Sequence, residues 1–375
     1  MGFIEDSMMN IANFVAPFIP AGIFRDIFVD GVMAGLSGVV VFLPQIMLLF
    51  FLLSLLEESG YIARASLVAD RVMGLFGLSG QAFLPYLSSF ACSIPGIMAT
   101  RTINDKKERL ATLMTIPLIT CSARLPVYIL LVATFVPAQK IGGVLSLQAL
   151  AFFGLYFLGS FCALFMAKIF RLTYFKGKSQ YFVIDLPKYN IPHFGRALKN
   201  AWKKGSSFVL KAGKIILFFS LIIWALSYFP HNENLSKSEQ LEHSYLGTMG
   251  KAIEPAIRPL GMDWKMGIGL LVAQGARELF VSTMATIYAL GDVDENSPTL
   301  RARLQNERSP QTGELVYTPA VVCSLLLFFV FSLQCISTLA VVRSETGSYK
   351  IAAVMFLYMG ALAYGSSFLV YQLLR

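Results

Sequence analysis

Apolar blocks long enough to cross a bilayer recur along this chain, and they constrain its fold more than any other feature. A helix needs ~20 mostly apolar residues to span the hydrocarbon core. The stretch from Val144 to Phe170 meets that length with no acidic residue and a single base, Lys168, near its end. Eight such stretches are predicted as spans, at roughly 31–56, 78–100, 110–136, 144–170, 213–229, 264–290, 319–342 and 350–374. Residues 8–24, interrupted by Pro17 and Pro20, read as interfacial. Residues 61–77 carry Arg64, Asp70 and Arg71 and read as an amphipathic or re-entrant piece. With 56% hydrophobic and 14% charged residues, the composition fits one polytopic all-α bundle rather than two or three soluble domains.

The net charge of +9 is distributed as loop charge between apolar spans, not as a basic face on a soluble domain, so no nucleic-acid partner is implied. Residues 171–212 contain nine Lys or Arg and one acid, Asp185. By the positive-inside bias this connection is cytoplasmic. Counting eight crossings then puts residues 101–109, loop 291–318 and both termini on the cytoplasmic side, and loop 231–263 outside. The five cysteines form no CxxC pair and none lies in a long polar loop, which argues against a disulfide framework. Gly177-Lys178-Ser179 resembles the end of a phosphate-binding loop, but Leu172 stands where that motif requires glycine. No nucleotide site and no enzymatic motif is read here.

Two neighbouring spans are interrupted. The 78–100 stretch contains Pro85 and Pro95, and 110–136 contains Pro117 and Pro126 around Cys121-Ser122-Ala123-Arg124. A mid-span proline removes a backbone hydrogen bond, and the freed carbonyls survive in a membrane only inside protein or beside a wet cavity. The segments beginning at Cys92 and Cys335 echo each other: both run from cysteine through small and apolar residues to Arg-Thr or Arg-Ser. Eight crossings would give the two copies opposite orientation, as in inverted-repeat transporters. That reading places Arg101 and Arg343 on opposite faces. At 1.5 Å per residue, Cys92 lies about 14 Å from Arg101, Cys121 about 18 Å from Arg109, and Cys335 about 12 Å from Arg343. All three thiols are therefore near the midplane. Cys162 and Cys323 read as apolar filler, as free cysteine commonly is.

Glu278 sits at the centre of the 264–290 stretch, where an ionisable group is functional by default. Arg277 is adjacent, but successive helical side chains diverge, so a simple neighbour pair is not expected. Glu57 and Glu58 close the first span and read either as a cavity mouth or as an interfacial stop. Thiolate and carboxylate together suit a borderline or soft cation, with iron, copper or zinc favoured over magnesium or calcium.

These residues resemble the membrane portion of the ferrous iron transport protein B family. The similar stretches, in order along nearly the whole chain, include VFLPQIMLLFFLLSLLEESGYIARASLVADRVMG, FLPYLSSFACSIPGIMATRT, PLITCSARLPVY, QGARELFVSTMATIY and CISTLAVVRSETGSYK. The resemblance implies two gate domains around a central core, with boundaries at 1–30 (interfacial), 31–136 (first gate), 137–230 (basic connection and core), 231–263 (external loop) and 264–375 (second gate). It implies an iron(II) permease of the bacterial inner membrane, with Fe2+ as substrate and no resident cofactor. The implied pathway residues are Cys92, Cys121, Cys335, Glu57, Glu58 and Glu278, and the implied gate residues are Pro95, Ser122, Arg124, Pro126 and Arg277. The family's GTP-binding domain is not recognised in the sequence, so GTP is expected only through a separate GTPase. Small cytoplasmic ferrous iron transport proteins and further copies of the chain are other implied partners. Three residues depart from the family pattern: Arg277 replaces lysine, Gln334 replaces proline before Cys335, and Ala91 replaces glycine before Cys92. A nucleoside or other small-solute carrier of the gate type, and a non-transporting scaffold for a GTPase, are the competing readings.

Overall fold

A computed structural model describes residues 14, 22–137, 139–141, 145–177, 189–230, 237–275, 277, 279–288, 298–308 and 315–375. The chain enters through a π-helical stretch, Ile27–Met33, that runs into α1 (Ala34–Glu58). Gly60, at φ 78°, then turns the chain by 86° into α2 (Tyr61–Gly74), the amphipathic piece expected from its charges. Among the described residues, four stretches are long and apolar enough to cross a membrane: Lys106–Phe135, Leu147–Leu172, Pro319–Thr346 and Tyr349–Leu374. The bent pair ending in α2 makes a fifth if counted as one span.

Two of the eight expected spans do not cross. In the first, α3 (Phe83–Ser89) and α4 (Ser93–Ala99) fold back on each other. A Cβ on Gly96 would lie 2.9 Å from the carbonyl oxygen of Pro85, so glycine is what permits this close return. The hairpin's ends meet, with the Asn104 amide donating to Gln81 Oε1 at 3.0 Å. After it come α5 (Lys106–Thr115), a break, and α6 (Leu125–Phe135), followed by the unbroken α7 (Leu147–Leu172). Gln148 Nε2 donates to the Val136 carbonyl at one end of α7, and Arg171 pairs with Asp105 at 3.2 Å at the other.

The continuous run of α8 (Phe194–Phe208) and α9 (Lys214–Tyr228) lies antiparallel along α1. Contacts follow its whole length, from His193 N to Glu58 Oε2 (3.0 Å), through Asn200 to Ser54, to Tyr228 OH on Asp26 (3.0 Å). Short helices α10 (Lys237–His243) and α11 (Tyr245–Ile257) cover the α9 end.

The second non-crossing stretch is α12 (Trp264–Ala273) with α13 (Leu279–Ile287). A Cβ on Gly269 would come within 2.7 Å of Phe280 and Met284, so α13 runs back along α12. The Lys265 ammonium lies 4.9 Å from the Tyr288 ring, which closes this hairpin at its own entry face. Helix α14 (Pro298–Asn306) follows at that face, where Glu307 pairs with Lys265 at 2.6 Å. Then α15 (Pro319–Phe331), a break, and α16 (Ile336–Thr346) make the next crossing, and the unbroken α17 (Tyr349–Leu374) ends the chain.

The two units, hairpin plus broken crossing plus plain helix, are inverted copies. Phe135 stacks on Tyr317 at 5.8 Å, so the end of the first crossing meets the start of the second. At the other face Glu345, ending the second crossing, pairs with Arg101 and with Arg109 at 3.0 Å.

This arrangement corrects the crossing count. Because 264–290 is a hairpin, loop 298–308 lies with the 245–265 face rather than with Arg171. Glu345 brings Arg101 and Arg343 to the same face, not opposite ones. Tyr349 sits beneath Arg343, and Tyr371 packs on Gly261, so the C-terminus is on the face opposite the basic connection. The sequence echo between Cys92 and Cys335 is therefore not the repeat; the repeat pairs residues 83–172 with 264–374. Of the predicted interfacial segment, residues 1–13 and 15–21 lie outside the described residues.

Candidate functional site

The breaks in the helices, not the helices themselves, build the site. Cys92 (φ −156°, ψ 136°) precedes α4, Cys121 (φ −91°, ψ 164°) precedes the 3-10 turn Ser122–Arg124, and Cys335 (φ −156°, ψ 98°) precedes α16. Each thiol is thus carried on extended backbone at the start of a helical segment. While Pro117 lies within the break between α5 and α6, two of the prolines fall just after the breaks, Pro95 as the third residue of α4 and Pro126 as the second of α6. Proline is tolerated there because first-turn amides have no partner inside the helix.

Each hairpin tip is tied to the break of its own crossing by the same kind of bond. In the first unit Ser122 N donates to Phe90 O at 3.0 Å, and Ser122 Oγ to Ala91 O at 2.8 Å. In the second, Ile336 N donates to Gln274 O at 3.2 Å. By this correspondence Cys121 is the counterpart of Cys335.

Arg124 is fully buried and answers the carbonyls that the breaks set free. Its Nη1 donates to Leu118 O (3.3 Å) and Ile119 O (3.2 Å), and its Nη2 to Pro117 O (3.1 Å) and Ser332 O (3.3 Å). Three of these belong to the first break and one to the second, so a single guanidinium staples the units together. A membrane interior offers such carbonyls no water. Arg277, 3% exposed, sits in the tip of the second hairpin; it donates from Nε to Gln334 O at 3.2 Å and from Nη1 to Cys121 Sγ at 3.1 Å. It thereby crosses from one unit to the other.

Cys92, Cys121, Cys335, Ser122, Arg277 and Gln334 line one cavity of about 100 Å3. Ile94 also lines a second cavity of about 590 Å3, which reaches the face carrying Arg101, Glu345, Lys204 and Glu57. Pro95 is in this vestibule wall. The opposite side is packed: Phe280 and Phe329 are buried and meet edge to face at 4.9 Å. Among the described residues no three of His, Cys, Asp and Glu stand close enough together to hold one metal ion. The three thiols share a cavity without forming a three-ligand cluster.

The remaining candidates separate. Glu57 faces the vestibule, whereas Glu58 accepts the His193 amide and tethers α8 to the end of α1. Glu278 lies outside the described residues. Cys162, on α7, packs against the main core and lines neither cavity. Sequence reasoning does not single out Glu345, an acid between Arg343 and Lys350 near the end of α16, and meets Gln334 only as a departure from the family pattern.

Two inverted hairpin-and-broken-helix units closing on a cavity lined by three cysteines give this chain the architecture seen in inverted-repeat membrane transporters. Comparisons with known proteins narrow the class. A gate-domain family model described as nucleoside recognition matches residues 39–135 and 209–349, and one described as the ferrous iron transport protein B C terminus matches residues 152–204. The Fe(2+) transporter FeoB of Leptospira biflexa is 46% identical over 100% of this chain and 54% of its own length. That of Campylobacter jejuni is 36% identical over 98% of this chain and 59% of its own. A Porphyromonas gingivalis Fe(2+) transport protein A/Fe(2+) transporter FeoB fusion protein is 37% identical over 100% of this chain and 47% of its own length. The chain belongs to the gate-domain family and is similar along its whole length to Fe(2+) transporter FeoB relatives. It spans about half the length of the curated relatives it matches. No solved structure matches it.

Proposed function

We propose that this chain forms the membrane pathway of a ferrous iron permease in the bacterial inner membrane, importing Fe2+. One observation carries the reading: thiols from both inverted units, each freed by a helix break, line a single cavity that adjoins a vestibule. Thiolate donors favour iron, copper or zinc over magnesium or calcium. The basic face bearing Arg101, Arg171 and Arg343 is cytoplasmic by the positive-inside bias, so the vestibule opens inward. In this state the path is shut on the outer side by the Phe280 and Phe329 contact, and an entering cation competes with the Arg277 guanidinium for Cys121 Sγ. Glu57 at the vestibule supplies negative charge on the exit route. The fusion partner of the Porphyromonas gingivalis relative supports a small Fe(2+) transport protein A as an associated protein. Any GTP dependence enters through a GTP-binding domain or subunit.

The test is uptake by the purified chain in proteoliposomes, with iron(II), manganese, zinc and a nucleoside offered in parallel. Iron(II) uptake blocked by a membrane-permeant thiol reagent is the expected result. Uptake of the nucleoside in place of any cation overturns the assignment, and uptake of nothing leaves the chain as a scaffold.

A further inference from the structure

Gln334 is wholly buried, and neither its Nε2 nor its Oε1 has a hydrogen-bond partner among the described residues. Its backbone is engaged, accepting from Arg277 Nε, so the segment is held while the amide is left open. Gln334 is one of the residues lining the cavity that holds Cys121 and Cys335. A buried amide with both ends unmade is costly, ~1–3 kcal/mol for each group, and a leucine of similar size would remove that cost. Such a group in a native core calls for a ligand or a function. The thiols alone do not assemble three donors at one point. A cation in the cavity therefore takes another ligand, and the Gln334 amide oxygen is an unengaged, neutral oxygen in its wall.

We propose that Gln334 is a substrate ligand that sets cation selectivity, its Oε1 binding the divalent ion alongside the thiols; this rests on the permease reading above. The chemistry follows from donor hardness. A thiolate-only site selects soft ions such as Cu(I) and suits zinc, whereas carbonyl and carboxylate oxygens suit manganese and magnesium. One amide oxygen added to thiols moves the preference toward iron(II) and manganese, and away from zinc.

The experiment measures iron(II), manganese and zinc uptake in proteoliposomes for the wild type, Gln334→Leu and Gln334→Glu, with thermal unfolding of each metal-free protein in detergent. Gln334→Leu is expected to unfold no earlier than wild type, because the unpartnered amide is gone. Its iron-to-zinc and manganese-to-zinc uptake ratios should fall about tenfold, the least loss seen when even outer partners of metal ligands are removed. Gln334→Glu keeps an oxygen and should raise the manganese-to-zinc ratio above wild type. Unchanged ratios in both variants, or an equal loss of all three ions in a folded Gln334→Leu, overturn the proposal. If Gln334→Leu fails to fold, the Gln334→Glu ratio decides alone: an increase supports the ligand role and no change ends it. A wild type that moves no divalent ion refutes the permease reading instead.

Discussion

Replacing Arg124 by leucine should cost this protein more stability than any single thiol substitution. The guanidinium is the donor to four carbonyl oxygens, those of Pro117, Leu118, Ile119 and Ser332, at 3.1–3.3 Å. Leucine fills much of the volume but leaves all four acceptors buried and unmade. At the low end of about 1 kcal/mol for each unsatisfied buried group, the loss is about 4 kcal/mol. That size belongs to a broken buried network and not to an ordinary surface change. With ~2 °C lost per kcal/mol in larger domains, the melting point in detergent should fall by about 8 °C. Arg124→Lys should fall in between, since a compact ammonium cannot reach carbonyls on two separate breaks as a planar fork does. The assay is thermal unfolding followed by size-exclusion of the remaining monodisperse protein, with exposed Arg71→Leu as the control. An Arg124→Leu variant that melts with the wild type would show that these carbonyls are satisfied in some other way, and the stapling argument would fail.

Further outcomes follow from the same geometry. Cys121→Ala and Cys335→Ala should each lower iron uptake in proteoliposomes, while Cys162→Ala, outside both cavities, should leave it near the wild-type rate; equal effects at all three sites would reduce the thiols to packing. Arg277→Met removes the guanidinium that donates to Cys121 Sγ. A neighbouring cation favours the reactive thiolate, so Cys121 should then react more slowly with a permeant maleimide, as mass spectrometry of the labelled peptide would reveal. A faster reaction would mean that Arg277 acts by covering the thiol instead. Cysteines introduced at Lys106 and Ser348 should be labelled from one side of an oriented vesicle and a cysteine at Lys251 from the other, an outcome the eight-crossing count forbids.

How much of this was legible beforehand depended on whether the signal was local. Apolar length announced the helices, and Arg64, Asp70 and Arg71 marked α2 as a piece that does not cross. Proline marked the neighbourhood of both breaks in the first unit, and depth arithmetic set three cysteines at similar depth; the structure has them lining one cavity. The hairpins escaped because apolar length does not record direction. An uninterrupted stretch such as 264–290 reads equally as a span or as a strand of helix folded in two, and what decides it is a contact between Gly269 and Phe280 that only the fold supplies. One missed reversal inverted every assignment of side after it. The sequence marks Arg124 only as a residue of the first gate motif; its four carbonyl partners include Ser332, 208 residues away, which no spacing rule reaches. Gln334 was visible only as an exception, since the burial of an amide and its want of a partner are properties of three dimensions.

The inverted relation between the two units has a kinetic meaning. Since each unit follows the same chain path turned upside down, the posture one adopts here is a posture the other can adopt. Trading postures would part the aromatic seam of Phe280 and Phe329, and would draw the walls of the present 590 Å3 mouth together around Glu345. On the proposed permease reading, the cysteines in the cavity between the two units would be the pivot of that exchange. One static arrangement would then define both ends of a transport cycle, with the cargo stationary while the barrier moves past it.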